Sequence, residues 1–172
     1  QGYNLVTPLQ SASMVSTVAN GGFLLRPYLV KKIEDSEGKV IREFFPKIVR
    51  NIEIDPEILK HLKEGLRGVV NEPRGTGRSA RLKNIVVSGK TGTAQVVSMK
   101  GPEEVESEDE TPYSFRDHAW FIAFAPYDKP EVAVSVIVEH GGHGGTVAAP
   151  IARKILKTYF THYPPVKTAQ PS

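Results

Sequence analysis

The stretch VVSGKTGTAQ, residues 86–95, places a Lys-Thr-Gly triplet directly after a run of β-branched residues. Because β-branched residues favour strands, the pattern predicts a strand over residues 85–97 that runs into the triplet itself. Gly92 has no side chain, so an extended, peptide-like substrate has room to lie against the strand backbone at this point. The triplet therefore marks a candidate site on a strand.

The pair Gly89-Lys90 followed by Thr91 also invites comparison with a phosphate-binding loop. That motif requires a glycine five positions before the Gly-Lys pair, where this chain has Asn84. It also requires a loop whose backbone N–H groups cradle a phosphate, whereas here the strand leads straight into the triplet. A nucleotide site is therefore not favoured.

Acyl transfer is the chemistry that these residue types suit better. Lys-Thr-Gly is one of the motifs of serine enzymes that react with β-lactams. Lys90 would supply a positive charge that attracts an anionic substrate, and the hydroxyls of Thr91 and Thr93 could hold a substrate carboxylate. The amide N–H of Thr93 could donate to a developing oxyanion, which is worth on the order of 3 kcal/mol of transition-state stabilisation. We therefore predict a catalytic role for Lys90, Thr91, Gly92 and Thr93, with Lys90, Thr91 and Thr93 binding the substrate or a β-lactam.

The flanking sequence predicts a mixed fold of helices and antiparallel strands. Thr7 and Gln10 form a capping box for a helix, and Asp55 caps a second helix whose apolar positions are Ile58, Leu59, Leu62, Leu66 and Val69. Residues 23–35 and 39–45 read as a hairpin around residues 36–38, whereas residues 45–55 are ambiguous. The short turn at residues 127–130 predicts antiparallel pairing of two later strands, and a last helix is expected from about Thr146.

Five segments, in this order along the chain, carry a resemblance to a known family: GYNLVTPLQ, EPRGTGRSA, SGKTGTAQ, DHAWFIAFAP and EHGGHGGTVAAPIA. Together they resemble the C-terminal part of the transpeptidase domain of class B penicillin-binding proteins, most closely those of the penicillin-binding protein 2 type. The resemblance implies the penicillin-binding protein/β-lactamase-like α/β (α+β) fold over residues 1–162. The sequence YPPVKTAQPS itself predicts a disordered tail at 163–172. The resemblance also implies a D,D-transpeptidase that cross-links peptidoglycan stem peptides ending in D-Ala-D-Ala through a serine acyl-enzyme and is acylated by β-lactams.

Two motifs of that family, Ser-x-x-Lys with the nucleophile and Ser-x-Asn, are expected upstream of the Lys-Thr-Gly strand. The chain contains no Ser-x-Asn, and its Ser36–Lys39 match to Ser-x-x-Lys falls in a glycine-containing turn instead of at the start of a buried helix. We therefore expect the nucleophile to lie outside this chain, which would be a fragment that is inactive by itself and needs the missing N-terminal part. A non-catalytic binding or sensor module of the same fold is the alternative.

Composition narrows the other possibilities. The net charge of +3 and pI near 9.1 give no argument for nucleic acid, and the absence of cysteine excludes disulfides and thiolate metal sites. Residues 103–110 hold six acids in eight positions, which is typical of a solvated loop, with a regulatory or partner-binding loop as the alternative. No cofactor is predicted. The resemblance implies a location on the outer face of a bacterial inner membrane, with an elongation glycosyltransferase and cell-shape proteins as suggested partners.

The remaining chemically notable residues favour structural interpretations. His140 and His143 lack a third metal ligand at a defined spacing, so turn geometry is preferred and no metal site is predicted. Trp120 and Phe121 read as core, and Gly75 and Gly77 as turn residues. The basic side chains of the glycine-rich loop read as solvated, with a basic rim beside an anionic substrate as the alternative; they are Arg74, Arg78 and Arg81.

Overall fold

The structure, a computed structural model, describes residues 4–96 and 112–165. The described part contains three α-helices, two short 3-10 helices and seven strands. The α-helices are Pro8–Ala19 (α1), Pro56–Asn71 (α2) and Ala148–His162 (α3), and the strands are Phe23–Leu25 (β1), Lys32–Glu34 (β2), Val40–Glu43 (β3), Ile48–Asn51 (β4), Ser88–Ala94 (β5), His118–Ala125 (β6) and Val132–Val138 (β7). The predicted combination of helices with antiparallel strands is confirmed.

The main sheet is an antiparallel meander in the order β5-β6-β7. Side chains alternate across it, so that Phe121 and Ala123 of β6 are fully buried on one face while Trp120 and Ile122 are half-buried on the other. α3 covers the fully buried face, where Leu156 joins the same apolar cluster as Phe121. One face of the sheet is thus sealed and the other is only partly covered.

The partly covered face receives α1. Val15 and Ala19 of α1 pack against Phe124 of β6 in a second, smaller cluster. The helix begins as predicted, because the Thr7 hydroxyl accepts from the Gln10 amide and the Gln10 side chain accepts from the Thr7 amide. α1 therefore covers the end of the sheet near Phe124 and leaves the surface around Trp120 and Ile122 half-exposed.

The strand prediction for residues 23–45 is wrong in one respect. The hairpin around the Gly38 turn exists, but it pairs only β2 with β3. β1 pairs instead with β4, which lies in the segment that sequence patterns left ambiguous. β1 therefore takes no part in the hairpin of β2 and β3. Together with β4 it forms a separate two-stranded sheet beside α1.

α2 starts at the predicted cap, because the Asp55 carboxylate accepts from the amides of Glu57 and Ile58. Its apolar stripe is buried only toward the C-terminal end, with Val70 fully buried and Ile58 64% exposed. Asn71 at the end of α2 donates from Nδ2 to the carbonyl oxygen of Val87 at 2.8 Å. This bond ties the end of the helix to the residue that precedes β5.

Several expectations fall outside the described residues. They are the acidic run at 103–110 and residues 166–172 of the predicted tail. Among the residues that are described, no helix is both long enough and apolar enough to span a membrane.

The packing of α3 predicts different costs at two neighbouring positions. Leu156→Ala removes a fully buried side chain and should lower the free energy of unfolding by about 2–5 kcal/mol. Ile155→Ala, at a position 45% exposed, should cost clearly less. Denaturant unfolding of both variants tests this, and equal losses would show that α3 does not pack as described.

Candidate functional site

The Lys-Thr-Gly triplet lies within β5, which is an edge strand of the meander among the residues that the structure describes. β5 pairs with β6 on one side, in a register that places Gly92 opposite Trp120 and Lys90 opposite Ile122. On its other side it meets no strand of the described chain. The triplet is therefore presented along an open strand edge.

The backbone of β5 points alternately toward β6 and toward the open edge. The Thr91 carbonyl oxygen accepts a hydrogen bond from Lys90 Nζ at 2.8 Å, so this carbonyl faces the open edge. In an antiparallel ladder the N–H and C=O of one residue point the same way, and the direction repeats every second residue. The amide N–H of Thr93 therefore also points to the open edge, as an oxyanion donor must.

Lys90 and Thr91 bring their polar atoms together at this edge. Lys90 is exposed, and its Nζ lies 3.4 Å from Thr91 Oγ1 in addition to its bond with the Thr91 carbonyl. The ammonium therefore stands beside a hydroxyl and near the outward-facing backbone of β5. This arrangement suits the binding of an anionic group next to a carbonyl that is under attack.

Thr76, which sequence reasoning missed, also belongs to the site. Its Oγ1 lies 3.1 Å from Thr91 Oγ1, at hydrogen-bonding distance. The residue sits in the glycine-rich loop after α2, and the only sequence signal was the presence of a hydroxyl between Gly75 and Gly77. Thr76 extends the row of hydroxyls beyond the strand.

The glycine segment at 141–145 buttresses the backbone of β5 and β6. A Cβ on Gly144 would lie 2.1 Å from the Trp120 carbonyl oxygen and 2.5 Å from the Gly92 carbonyl oxygen. A Cβ on Gly145 would lie 2.4 Å from the Thr76 carbonyl oxygen. Glycine is therefore required here because three backbones meet.

Gly75 and Gly77 lie at the predicted turns, because the Gly75 amide donates to the Glu72 carbonyl oxygen and the Ala80 amide donates to that of Gly77. Packing, however, is what requires glycine at these positions. Neither residue has a positive φ. A Cβ on Gly75 would lie 2.2 Å from the Val69 carbonyl oxygen, and one on Gly77 would lie 2.9 Å from the Phe121 ring. Both glycines let the loop that carries Thr76 press against α2 and the sheet.

The two histidines have different settings. His140 adopts a positive φ of 52°, its amide donates to His118 Nδ1 at 2.9 Å, and its ring Nδ1 lies 3.1 Å from the Arg116 carbonyl oxygen. His143 is exposed. Within residues 4–96 and 112–165, no three potential ligands come together as a metal site would require. His140 thus serves the turn geometry that its position predicted.

The core assignment holds fully for Phe121 and only partly for Trp120, which is half-buried on the open face. Of the three loop arginines, Arg78 donates from Nη1 to the Pro73 carbonyl oxygen, and all three are exposed. Arg74 lines a groove beside Thr76.

The Ser36–Lys39 match to Ser-x-x-Lys lies in the hairpin turn between β2 and β3. The Asp35 carboxylate accepts from the amides of Glu37 and Lys39, and Gly38 has a φ of 82°. All four positions are exposed and non-helical. This serine has no base held one helical turn away, so it lacks the geometry of an activated nucleophile.

Comparison with known proteins gives consistent matches along the chain. The family model described as "Penicillin binding protein transpeptidase domain" matches residues 1–157. A curated relative, the peptidoglycan D,D-transpeptidase MrdA of Haemophilus influenzae, is 40% identical over 162 residues, which cover 92% of this chain and 24% of the relative. The chain thus spans about a quarter of the length of this relative.

Solved structures agree. Penicillin-binding protein 2 of Pseudomonas aeruginosa is 34% identical with a TM-score of 0.71, and the match covers 93% of this chain and 32% of that one. Penicillin-binding protein A of Mycobacterium tuberculosis, solved as a ceftriaxone acyl-enzyme complex, is 31% identical with a TM-score of 0.72, covering 91% of this chain and 33% of that one.

The contact of Gly144 with β5 and β6 predicts a strong intolerance of side chains. Gly144→Ala should lower the free energy of unfolding by about 1–3 kcal/mol, because its methyl group would overlap two carbonyl oxygens. Gly65→Ala is the control, since a Cβ there meets nothing within 4 Å and alanine favours the helix. Thermal unfolding measures both, and an unchanged melting temperature for Gly144→Ala would contradict the described contact.

Proposed function

Because this chain belongs to the penicillin-binding protein transpeptidase domain family, we propose that it forms the Lys-Thr-Gly wall of a peptidoglycan D,D-transpeptidase. In the proposed reaction a serine attacks the D-Ala-D-Ala end of a stem peptide and releases the last D-alanine. The acyl-enzyme then passes to an amine of a neighbouring stem, which makes a cross-link. β-Lactams would acylate the same serine.

The observation that carries this proposal is the open edge of β5, with the Lys90 ammonium beside the outward-facing backbone of Thr91. We assign to Lys90 the attraction of the substrate carboxylate and the tuning of nearby proton transfers. The hydroxyls of Thr91 and Thr93 would hold that carboxylate, and the Thr93 amide would donate to the oxyanion. Gly92 would leave room for the substrate backbone. Thr76, next to Thr91, joins this set as an additional hydroxyl.

The nucleophilic serine would come from residues outside these 172. The half-buried sheet face beside Lys90 supports this, because it carries Trp120, Ile122 and Ile137 without full cover from the described chain. We propose that the helix that carries the serine and its lysine base packs on this face.

The wider setting follows from the same proposal. Stem peptides and β-lactams would bind along β5. The whole protein would act at the outer face of a bacterial inner membrane, beside an elongation glycosyltransferase and cell-shape proteins. The transpeptidase portion of this chain would comprise residues 1–162.

Removal of the Lys90 charge should impair acylation in the intact protein that carries this chain. Lys90→Ala should lower the second-order rate of labelling by a fluorescent penicillin by about 100-fold or more, the usual cost of removing one electrostatic contact to the transition state. The measurement is a time course of covalent label on the purified protein.

Two control variants accompany this test. Lys129→Ala removes an exposed lysine from the turn between β6 and β7 and should label normally. Ser36→Ala should also label normally, because Ser36 lies in an exposed hairpin turn. A near-normal rate for Lys90→Ala would refute the role of Lys90, and loss of label with Ser36→Ala would show that this serine is the nucleophile after all.

A further inference from the structure

A groove of about 550 Å³ lies between α2 and the loop that follows the helix. The lining residues from α2 are His61, Glu64, Gly65, Gly68 and Val69, and those after the helix are Glu72, Arg74, Gly75 and Thr76. Glu64, Gly65 and Gly68 share one face of α2, and Val69 of the apolar stripe lines the same groove. The groove therefore combines charged side chains with an apolar lining.

The groove is continuous with the proposed site. Thr76 lines its end, and the Thr76 hydroxyl is 3.1 Å from that of Thr91. Under the proposed function, Thr91 holds the carboxylate of the terminal D-alanine, which is the residue that leaves. The groove therefore opens at the leaving-group side of the site.

The floor of the groove is built of glycine. Gly65 lies in the interior of α2, where glycine is unfavourable relative to alanine, yet an added Cβ would meet nothing within 4 Å. Packing within the described chain therefore does not require glycine at this position. At Gly68, an added Cβ would lie 3.2 Å from the Glu72 carboxyl group, which folds back over the helix. Neither glycine places a side chain of its own in the groove, and the Glu72 carboxyl group lies over Gly68.

The charged groups of the groove are available to a ligand. Glu64, Glu72 and Arg74 are exposed, and none of them takes part in an ion pair or side-chain hydrogen bond within the described part of the chain. The groove is thus lined by two carboxylates, of Glu64 and Glu72, and by the guanidinium of Arg74. This mixture of charge suits a peptide that carries both an ammonium and carboxylates.

We propose that this groove binds the acceptor stem peptide, the second substrate of the transpeptidation; the inference rests on the proposed function. The incoming amine must approach the acyl-enzyme along the path by which the leaving D-alanine amine departed, because formation and breakdown of the amide bond follow the same course in reverse. The chain attached to that amine then extends past Thr76 into the groove.

The step itself is an aminolysis of the acyl-enzyme. The lone pair of the acceptor amine attacks the ester carbonyl carbon, a C–N bond forms and the bond from that carbon to the serine oxygen breaks. The serine oxygen keeps the electron pair of the broken bond and takes up the proton that the amine loses. No oxidant, reductant or further reactant is needed.

The test compares two acceptors on the intact protein that carries this chain, with one thioester donor peptide ending in D-alanine. D-Alanine as acceptor needs only the hydroxyls of Thr91 and Thr93, which would bind its carboxylate. A stem-type peptide with a free side-chain amine would also need the groove. Gly65→Leu fills the groove floor and should reduce use of the peptide acceptor at least about tenfold, because a displaced nucleophile reacts slowly. Arg74→Gln and Glu64→Gln should each reduce it by up to about fivefold, as exposed ion contacts do.

In all three variants, penicillin acylation and exchange with D-alanine should stay within about twofold of the parent rates. Lys60→Leu is the matched control, since it places leucine at an exposed position of α2 outside the groove and should change nothing. Undiminished use of the peptide acceptor in all three variants would overturn the proposal, as would equal losses with both acceptors. If Gly65→Leu fails to fold, Arg74→Gln and Glu64→Gln, which each remove one charge, decide between the outcomes. Failure of the proposed function would look different, because the parent protein would not be acylated at all.

Discussion

The register of β5 against β6 is the constraint on which the site depends. Gly92 lies opposite Trp120, and this pair meets the backbone of Gly144 at distances that admit no side chain. A shift of one residue would turn the outward-facing backbone of Thr91 and Thr93 toward β6 and exchange the faces of Lys90 and Thr91. The close packing of glycine backbones therefore fixes the polar edge as well as the fold.

The two faces of the sheet are covered unequally. The face with Phe121 is sealed by α3 and supplies the main core. The face with Trp120 and Ile122 is only half-covered, and Lys90 projects from it. One face of the sheet is fully covered and the other is only half-covered. This suits a chain that forms one wall of a cleft, with the rest of the protein packing on the half-covered face.

Sequence patterns predicted the elements whose signals are local. The capping box at Thr7 and the Asp55 cap depend on residues within a few positions of one another. A strand at the Lys-Thr-Gly triplet was also predicted, but β5 begins at Ser88, so the β-branched residues at 85–87 that indicated it lie just before the strand. The pairing of β1 with β4 was missed. The β2–β3 hairpin lies between them in the sequence, and the sequence of a short strand does not indicate which strand it pairs with. The roles of Thr76 and Gly144 were missed for the same reason, since their contacts join segments distant in the sequence.

The most direct test of the assigned edge is a crystal structure of the penicillin acyl-enzyme of the intact protein that carries this chain. The β-lactam carbonyl oxygen should lie about 2.7–3.1 Å from the Thr93 amide nitrogen. The β-lactam carboxylate should contact the hydroxyls of Thr91 and Thr93. An acyl group bound away from β5, with the Thr93 amide free or turned toward β6, would contradict the assignment of this strand as the wall of the acylation cleft.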